Sequence, residues 1–430
     1  MRDIALVIIV FGSLPFILAR PYIGILMWSW LGYMSPHRLA YGFAYDFPFA
    51  QIVAITTILA FLFNREKKYF PVNSLTVVWL IFLAWMCITT AFAIFPEVSL
   101  LQLIKVLKIQ LVTLLTIVVM GSREKLNLLV WVIFLSLGFY GIKGGVFTIL
   151  TDGSYRVWGP GGSFISGNNE LALALLMAIP LGYYLRDISE NIWVRQGLLI
   201  AMVLIAIAVV GSQSRGAFLA GITMASWLWF RRRKKLLPAV FLALLGTGVL
   251  LFMPAEWHGR MESIQDYQKD GSAMGRINAW TAAINISKDR FPGGGFNGIN
   301  VSSVFAVYAK DPDDYHDAHS IYFEVLGDHG IPGLLLFLLL GIVALKSCGL
   351  LIKQTLEHKE LVWLNSLARM VQVSLIAYAA GGAFLGLAYF DLYYHLIAII
   401  LIGRGIAEKY LQEQIPSTGL AGQKFTSRSG

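Results

Sequence analysis

The stretch IPGLLLFLLLGIVALKSCGLLI, residues 331–352, decides the fold. Lys346 is its only charge, and as a helix rising 1.5 Å per residue it would reach about 33 Å, enough to cross the hydrocarbon core of a bilayer. Two further stretches read the same way, SLLQLIKVLKIQLVTLLTIVVM (99–120) and LNLLVWVIFLSLGFYGIKGGVFTIL (126–150). None alternates apolar and polar residues at period two, so they are helices and not barrel strands. Across all 430 residues the side chains are 57% hydrophobic and only 14% charged, against about a quarter charged in soluble domains. The fold class expected is an all-α integral membrane protein. Helices are expected near 4–19, 22–34, 48–63, 76–93, 98–120, 126–149, 166–185, 197–211, 216–230, 237–253, 332–352, 372–388 and 391–408. The first two are short, and about 12 transmembrane helices is the working count. The first block has little basic n-region and leads straight into more apolar sequence, so no cleaved signal peptide is expected. Cys87 and Cys348 both fall inside apolar segments, which argues against a disulfide framework or a cysteine metal site.

The net charge of +9 is informative through its placement. Basic residues gather in short gaps, REKK (65–68), SREK (122–125), Arg186 with Arg195, RRRKK (231–235) and KQTLEHK (353–359). By the positive-inside rule these gaps are cytoplasmic, so topology and contact with membrane lipids account for the basic balance and no nucleic-acid partner is needed. The alternation then puts 150–165, 212–215, 254–330 and the turn before Asp391 on the outer side. Residues 254–330 carry more Asp and Glu than Lys and Arg, the opposite bias. A connection of this length is functional or disordered more often than it is a mere link. INAWTAAINI, within it, has helical spacing of apolar positions and suggests an amphipathic helix at the membrane surface. The organisation expected is 1–253, N-terminal transmembrane helices; 254–331, a long periplasmic loop with the catalytic motif; 332–408, C-terminal transmembrane helices; and 409–430, a cytoplasmic tail.

Four polar stretches sit on that outer side. SYRVWGPGGSFISGNNELALALLMAIPL (154–181) ends its glycine-rich loop in Asn168 and Asn169, GSQSRGAFLAG (211–221) has Arg215 at its tip, GRINAWTAAINISKDRFPGGGFNGI (275–299) opens on Arg276, and DDYHDAHSIYFEVLGDHGIPG (313–333) holds His319. Each residue also has a plain structural reading. Arg215 would snorkel at an interface, Arg276 would pair with a loop acid, and the asparagines would cap a helix. Lys105 and Lys108, three apart on one face of an expected span, are harder to set aside, because intramembrane lysines face a polar cavity or a partner. Arginines suit the oxygens of a pyrophosphate, and a neutral histidine suits removal of a hydroxyl proton. Together they describe glycosyl transfer from a lipid pyrophosphate. The HDAH run, with Asp311, Asp313, Asp314 and Asp317 near His316 and His319, is also compatible with a divalent metal, as is DPD (311–313). Both patterns are short and occur freely in acidic loops, and no metal or other cofactor is assigned.

AHSIYFEVLGDHGIPGLLLFLLL (318–340) resembles the signature of the O-antigen ligase and polymerase superfamily. SQSRGAFLA resembles its Ser-Arg-Gly motif, GRINAW with DRFPGGGFNGI its Gly-Arg-x-x-x-Trp and Pro-x-x-Gly-x-Gly block, and YRVWGPGGSFISGNNELAL its Arg-x-x-Gly and Asn-x-Leu-Ala block. The start, ARPYIGILMWSWLGYMSPHRLAYGFAYDFPFAQIVAI, is similar to the putative O-glycosylation ligases associated with exosortase systems. SGNNE stands where many members have Asn-Pro-Asn, so both asparagines are carried forward. The resemblance implies a membrane-embedded glycosyltransferase of the GT-C type in the bacterial inner membrane, active at the periplasmic face without metal or nucleotide sugar. It implies undecaprenyl-pyrophosphate-linked glycan as donor and, in ligases, the lipid A core oligosaccharide as acceptor, with lipopolysaccharide as product. Matched motif by motif, His319 is the candidate base, Arg215 and Arg276 the pyrophosphate clamps, and Arg156 a further one. Lys105 and Lys108 are added on the donor side, and Asn168, Asn169 and Tyr322 as supporting residues. A polymerase or a protein O-oligosaccharyltransferase would need the same donor site, and a glycan-lipid transporter is the reading outside the enzymes.

Overall fold

The computed structural model describes residues 1–65, 69–231, 246 and 271–414, and every regular element among them is helical. In chain order these are α1 (Arg2–Ala19), α2 (Pro21–Met34), α3 (Phe49–Phe63), α4 (Ser74–Ala91), α5 (Pro96–Val119), α6 (Arg123–Leu150), α7 (Asn168–Ile188), α8 (Ile192–Gly211) and α9 (Arg215–Arg231). After residue 270 come α10 (Gly271–Asp289), α11 (Ser302–Tyr308), α12 (Ile321–Thr355), α13 (Val362–Gly381) and α14 (Asp391–Gln414). Eight of these are long and apolar enough to cross a membrane, and α3 is a shorter apolar helix. The expected span 237–253 lies, apart from residue 246, outside the described residues.

The bundle is organised around α14 and α7. Every residue from Asp391 to Gly403 is buried, as is every residue from Leu171 to Ala178, so both helices are enclosed by protein on all sides. The flanking helices α1, α3 and α5 instead leave apolar side chains such as Phe16, Leu62 and Leu101 exposed, as a lipid-facing surface requires. Since lipid is itself apolar, contact between such helices depends on close packing rather than water release. At Gly145 of α6 a Cβ would stand 2.2 Å from the Leu204 carbonyl oxygen of α8, so only glycine lets these two helices approach.

Backbone contacts sort the connections onto two ends. Arg2 donates to Leu39 O at 3.0 Å and Ala44 N to Asp3 at 3.2 Å, which joins the chain start to the α2–α3 connection. The Arg38 guanidinium reaches Gly162, Val157 N donates to Gly211 O at 3.1 Å, and Ile94 N donates to Gly294 O at 3.0 Å. The four polar stretches therefore share one end with the α2–α3 and α4–α5 connections. At the far end, Asn73, Ser122 and Asn191 cap α4, α6 and α8 by accepting from backbone N–H groups, each such cap stabilising by about 1 kcal/mol. Backbone strain follows the same division. Ser35, Asp152, Gln213, Asn297 and His319 have positive φ, as do five glycines, and all ten lie at the end with the polar stretches.

Two expected helices begin well before their expected starts. The span expected at 372–388 is Val362–Gly381, because its first turns carry Asn365 and Arg369, polar groups satisfied by Ile352 O, the Thr355 hydroxyl and each other. The span expected at 332–352 begins at Ile321 and is broken at Gly330, whose φ of 66° and ψ of −172° leave the helical region. The amphipathic helix expected from INAWTAAINI is α10, which contains Arg276 in its second turn instead of opening on it. Its buried face, Ala279, Ala282, Ala283 and Ile286, forms a small core with Ile299, Val304 and Phe305.

Candidate active site

The glycine run after α10 fastens three elements together. Gly294 N donates to Gly327 O at 2.8 Å and Gly295 N to Asp328 O at 2.9 Å, while Ser99 of α5 donates to Phe296 O at 2.9 Å. This leaves no space for a side chain at the crossing. A Cβ on Gly293 would stand 2.5 Å from Gly330 N, and one on Gly330 would stand 2.2 Å from Phe291 O. Residues 321–329 thus form a short half-helix ahead of the long span, and its acids and the His329 Nδ1 have protein partners, while the buried His329 Nε2 has none among the described residues. Glu324 accepts from Ala388 N at 3.1 Å, Asp328 accepts from the Tyr389 hydroxyl at 2.9 Å, and His329 Nδ1 hydrogen-bonds the Thr89 hydroxyl at 2.7 Å.

His319 sits immediately before that half-helix, half-buried, with a left-handed φ of 40°. Among the described residues its imidazole makes no hydrogen bond or ion pair. Gly386 lies against it: a Cβ there would be 4.0 Å from His319 Cα and 3.6 Å from both Asp317 Oδ2 and Glu324 Oε2. The neighbouring His316 is used otherwise, with Nδ1 3.0 Å from Asp314 and its ring packed on Gly275. Among the described residues no three His, Cys, Asp or Glu side chains are grouped to hold a metal ion.

The cationic candidates arrive from three directions. Arg215 is the first residue of α9, and Gly216 beside it packs on Phe384, with 3.1 Å from a Cβ to the Phe384 Cβ. This places the Arg215 turn on the same 382–390 strap that Gly386 belongs to. The turn is pinned from behind, since Asn168 Nδ2 donates to Ser212 O at 2.8 Å and Gln213 Nε2 to Gly153 O at 3.0 Å. Asn168 is thereby committed to holding the Arg215 turn, and half-buried Arg156 adjoins it through Val157 N. Arg276 lies between Gly275 and Asn278, both in contact with the segment leading to His319. Lys105 is about 14 Å along α5 from its start; its Nζ is 4.0 Å from the Phe164 ring, and it lies within electrostatic reach of Asp391.

The sequence-read residues fall into two sets. His319 stands on a segment that touches both the Arg276 stretch, through Gly275, and the 382–390 strap, through Gly386, and the Arg215 turn packs on the same strap, with Arg156 and Asn168 behind Arg215. Tyr322 donates to Ala379 O at 2.7 Å and so fastens the half-helix to α13, and Asn169 is half-buried beside Asn168. Lys105 joins the group through Phe164, whose ring is 6.4 Å from that of Phe390; both Lys105 and Lys108, the latter a turn deeper on α5, are exposed. Sequence reasoning did not single out Glu324, Gly386, Asp391 or Arg38. Arg38 stands over the Tyr45 ring at 4.5 Å and pairs with Asp46 at 3.2 Å. Of these, only Asp391 carried a signal, as the single acid between two apolar runs.

An imidazole without a hydrogen-bond partner among the described residues, next to carboxylates and linked through the strap and α10 to two arginine-bearing turns, suits proton removal beside a stabilised anion. Fold and site together define a multispanning membrane protein with a polar centre at one end. Residues 200–338, which hold Arg215, Arg276 and His319, match the O-antigen ligase family, and this shows the superfamily resemblance carried by the motifs. Residues 1–190 match a family of unknown function. No curated protein matches the chain. The matched segment supports, in general terms, a glycosyltransferase-like membrane enzyme of the O-antigen ligase and polymerase type.

Proposed function

We propose that the protein is an O-antigen ligase of the inner membrane, which transfers a glycan from undecaprenyl pyrophosphate to the lipid A core oligosaccharide at the periplasmic face. The observation that supports this reading is that, at one end of the bundle, the His319 imidazole has no hydrogen-bond partner among the described residues, while its segment touches the Arg276 stretch and shares the 382–390 strap with the Arg215 turn. His319 takes the proton of an acceptor hydroxyl as its oxygen attacks the anomeric carbon of the donor. The bond from that carbon to the pyrophosphate oxygen breaks, and undecaprenyl pyrophosphate leaves. Arg215 and Arg276, with Arg156 behind them, stabilise the charge gathering on the departing pyrophosphate. Lys105 and Lys108 draw the anionic headgroup along α5 from the lipid, and the arginines meet the pyrophosphate charge that a metal would otherwise neutralise.

Incubation of purified protein with undecaprenyl-pyrophosphate glycan and, separately, lipid A core, a second glycan lipid or a peptide tests the assignment. Elongation of lipid A core supports the ligase. Elongation of the glycan lipid would make the protein a polymerase, and elongation of the peptide a protein O-oligosaccharyltransferase. Movement of glycan lipid across vesicles with no elongation would overturn the transferase altogether.

A further inference from the structure

The Asn278 carboxamide uses all four of its hydrogen-bonding positions on one loop. Its Nδ2 donates to Asp311 O at 2.7 Å and Asp314 O at 3.0 Å, and its Oδ1 accepts from Lys310 N and Asp311 N, both at 3.0 Å. Two residues along α10, Trp280 Nε1 donates to Ala318 O at 2.7 Å while its ring stacks on Phe323 at 4.7 Å and 12°. One stretch of helix therefore grips the loop at both ends, and the next residue after the second grip is His319. The same stretch carries Arg276. We infer that Asn278 and Trp280 are positioning residues that hold the His319 imidazole at a fixed place relative to Arg276. This inference rests on the reading of His319 as the base.

The physical case turns on the His319 backbone. A non-glycine residue at φ 40° is disfavoured by about 1–2 kcal/mol relative to its right-handed alternatives, so it persists only where its surroundings fix it. On its N-terminal side that restraint is the Trp280 hydrogen bond to Ala318 O, backed by the four Asn278 bonds. Only a carboxamide meets two carbonyls and two N–H groups at once. Asn278→Asp would keep acceptors for the N–H groups and set a carboxylate against two carbonyl oxygens. Trp280→Phe would keep an aromatic ring over Phe323 and remove the one N–H.

The test uses the full chain purified in detergent, with undecaprenyl-pyrophosphate glycan and whichever of the three acceptors wild type elongates. Since a misplacement of about 1 Å costs on the order of a hundredfold in rate, Asn278→Ala should lower kcat by about that factor and Trp280→Phe by about tenfold. Donor KM should stay within about twofold of wild type, and the Trp280→Phe unfolding midpoint should fall only slightly, by the loss of one hydrogen bond, which separates positioning from loss of fold. Wild-type kcat in both variants would overturn the inference, as would a loss of rate matched by an equal loss of folded protein. His319→Ala is assayed alongside. If it is inactive while both variants match wild type, the positioning role alone fails; if it keeps full activity, or wild type elongates nothing, the underlying reading fails with it.

Discussion

Gly330→Ala should separate a backbone requirement from simple helix packing. The residue has φ 66° and ψ −172°, a region occupied essentially by glycine alone, where another residue costs about 1–3 kcal/mol. The new Cβ would also lie 2.2 Å from Phe291 O, so the 291–295 loop must withdraw. Withdrawal loosens the bonds from Gly294 N to Gly327 O and from Gly295 N to Asp328 O, each contributing about 1 kcal/mol. The sum is a destabilisation of about 3–5 kcal/mol. Gly349, on the same α12, has nothing within 4 Å of its Cβ position, and alanine there should be neutral or slightly stabilising through helix propensity. Thermal unfolding of the two variants in detergent compares them directly. Equal midpoints for Gly330→Ala and Gly349→Ala would refute the argument that a backbone crossing at Gly293 and Gly330 holds the half-helix in place.

Three further outcomes are expected. Thr89→Val removes the hydroxyl 2.7 Å from buried His329 Nδ1, and the unpartnered ring nitrogen should lower stability by about 1–3 kcal/mol, read as the unfolding midpoint with donor KM unchanged. Arg215→Lys and Arg276→Lys should each raise donor KM by about tenfold despite keeping the charge, because an ammonium lacks the planar fork that meets two phosphate oxygens; wild-type KM in either would remove that arginine from the donor site. Lys105→Met and Asp391→Asn should be non-additive in donor binding, since Lys105 Nζ sits on the Phe164 ring, which lies beside Phe390, the neighbour of Asp391, and strict additivity in the double variant would contradict their coupling.

The sequence was most legible where a helix is bounded by chemistry that acts locally. The expected 126–149 became Arg123–Leu150 because Ser122 caps its start, and the expected 48–63 became Phe49–Phe63. It was least legible where polar residues are satisfied by distant partners. Glu324, Asp328 and His329 pushed the expected start of α12 past Gly330, yet each is bound by a group more than sixty residues away, at Ala388, Tyr389 and Thr89. Arg215, Arg276 and His319 could be named from motifs, and their shared side followed from the basic gaps. The strap at 382–390 could not, because GAFLGLAYF reads as the end of an apolar span until Gly386 is seen against His319. Asn278 was equally silent, since its four partners become neighbours only when the loop folds back on α10.

The central claim is that His319 is the proton acceptor of a glycosyl transfer whose donor is held by other groups. Purified His319→Ala, given undecaprenyl-pyrophosphate glycan and lipid A core, measures it most directly through donor binding and product formation in the same preparation. The account predicts donor binding close to wild type and elongation reduced by at least about a hundredfold, the lower range for loss of a general base. Elongation at the wild-type rate would contradict it.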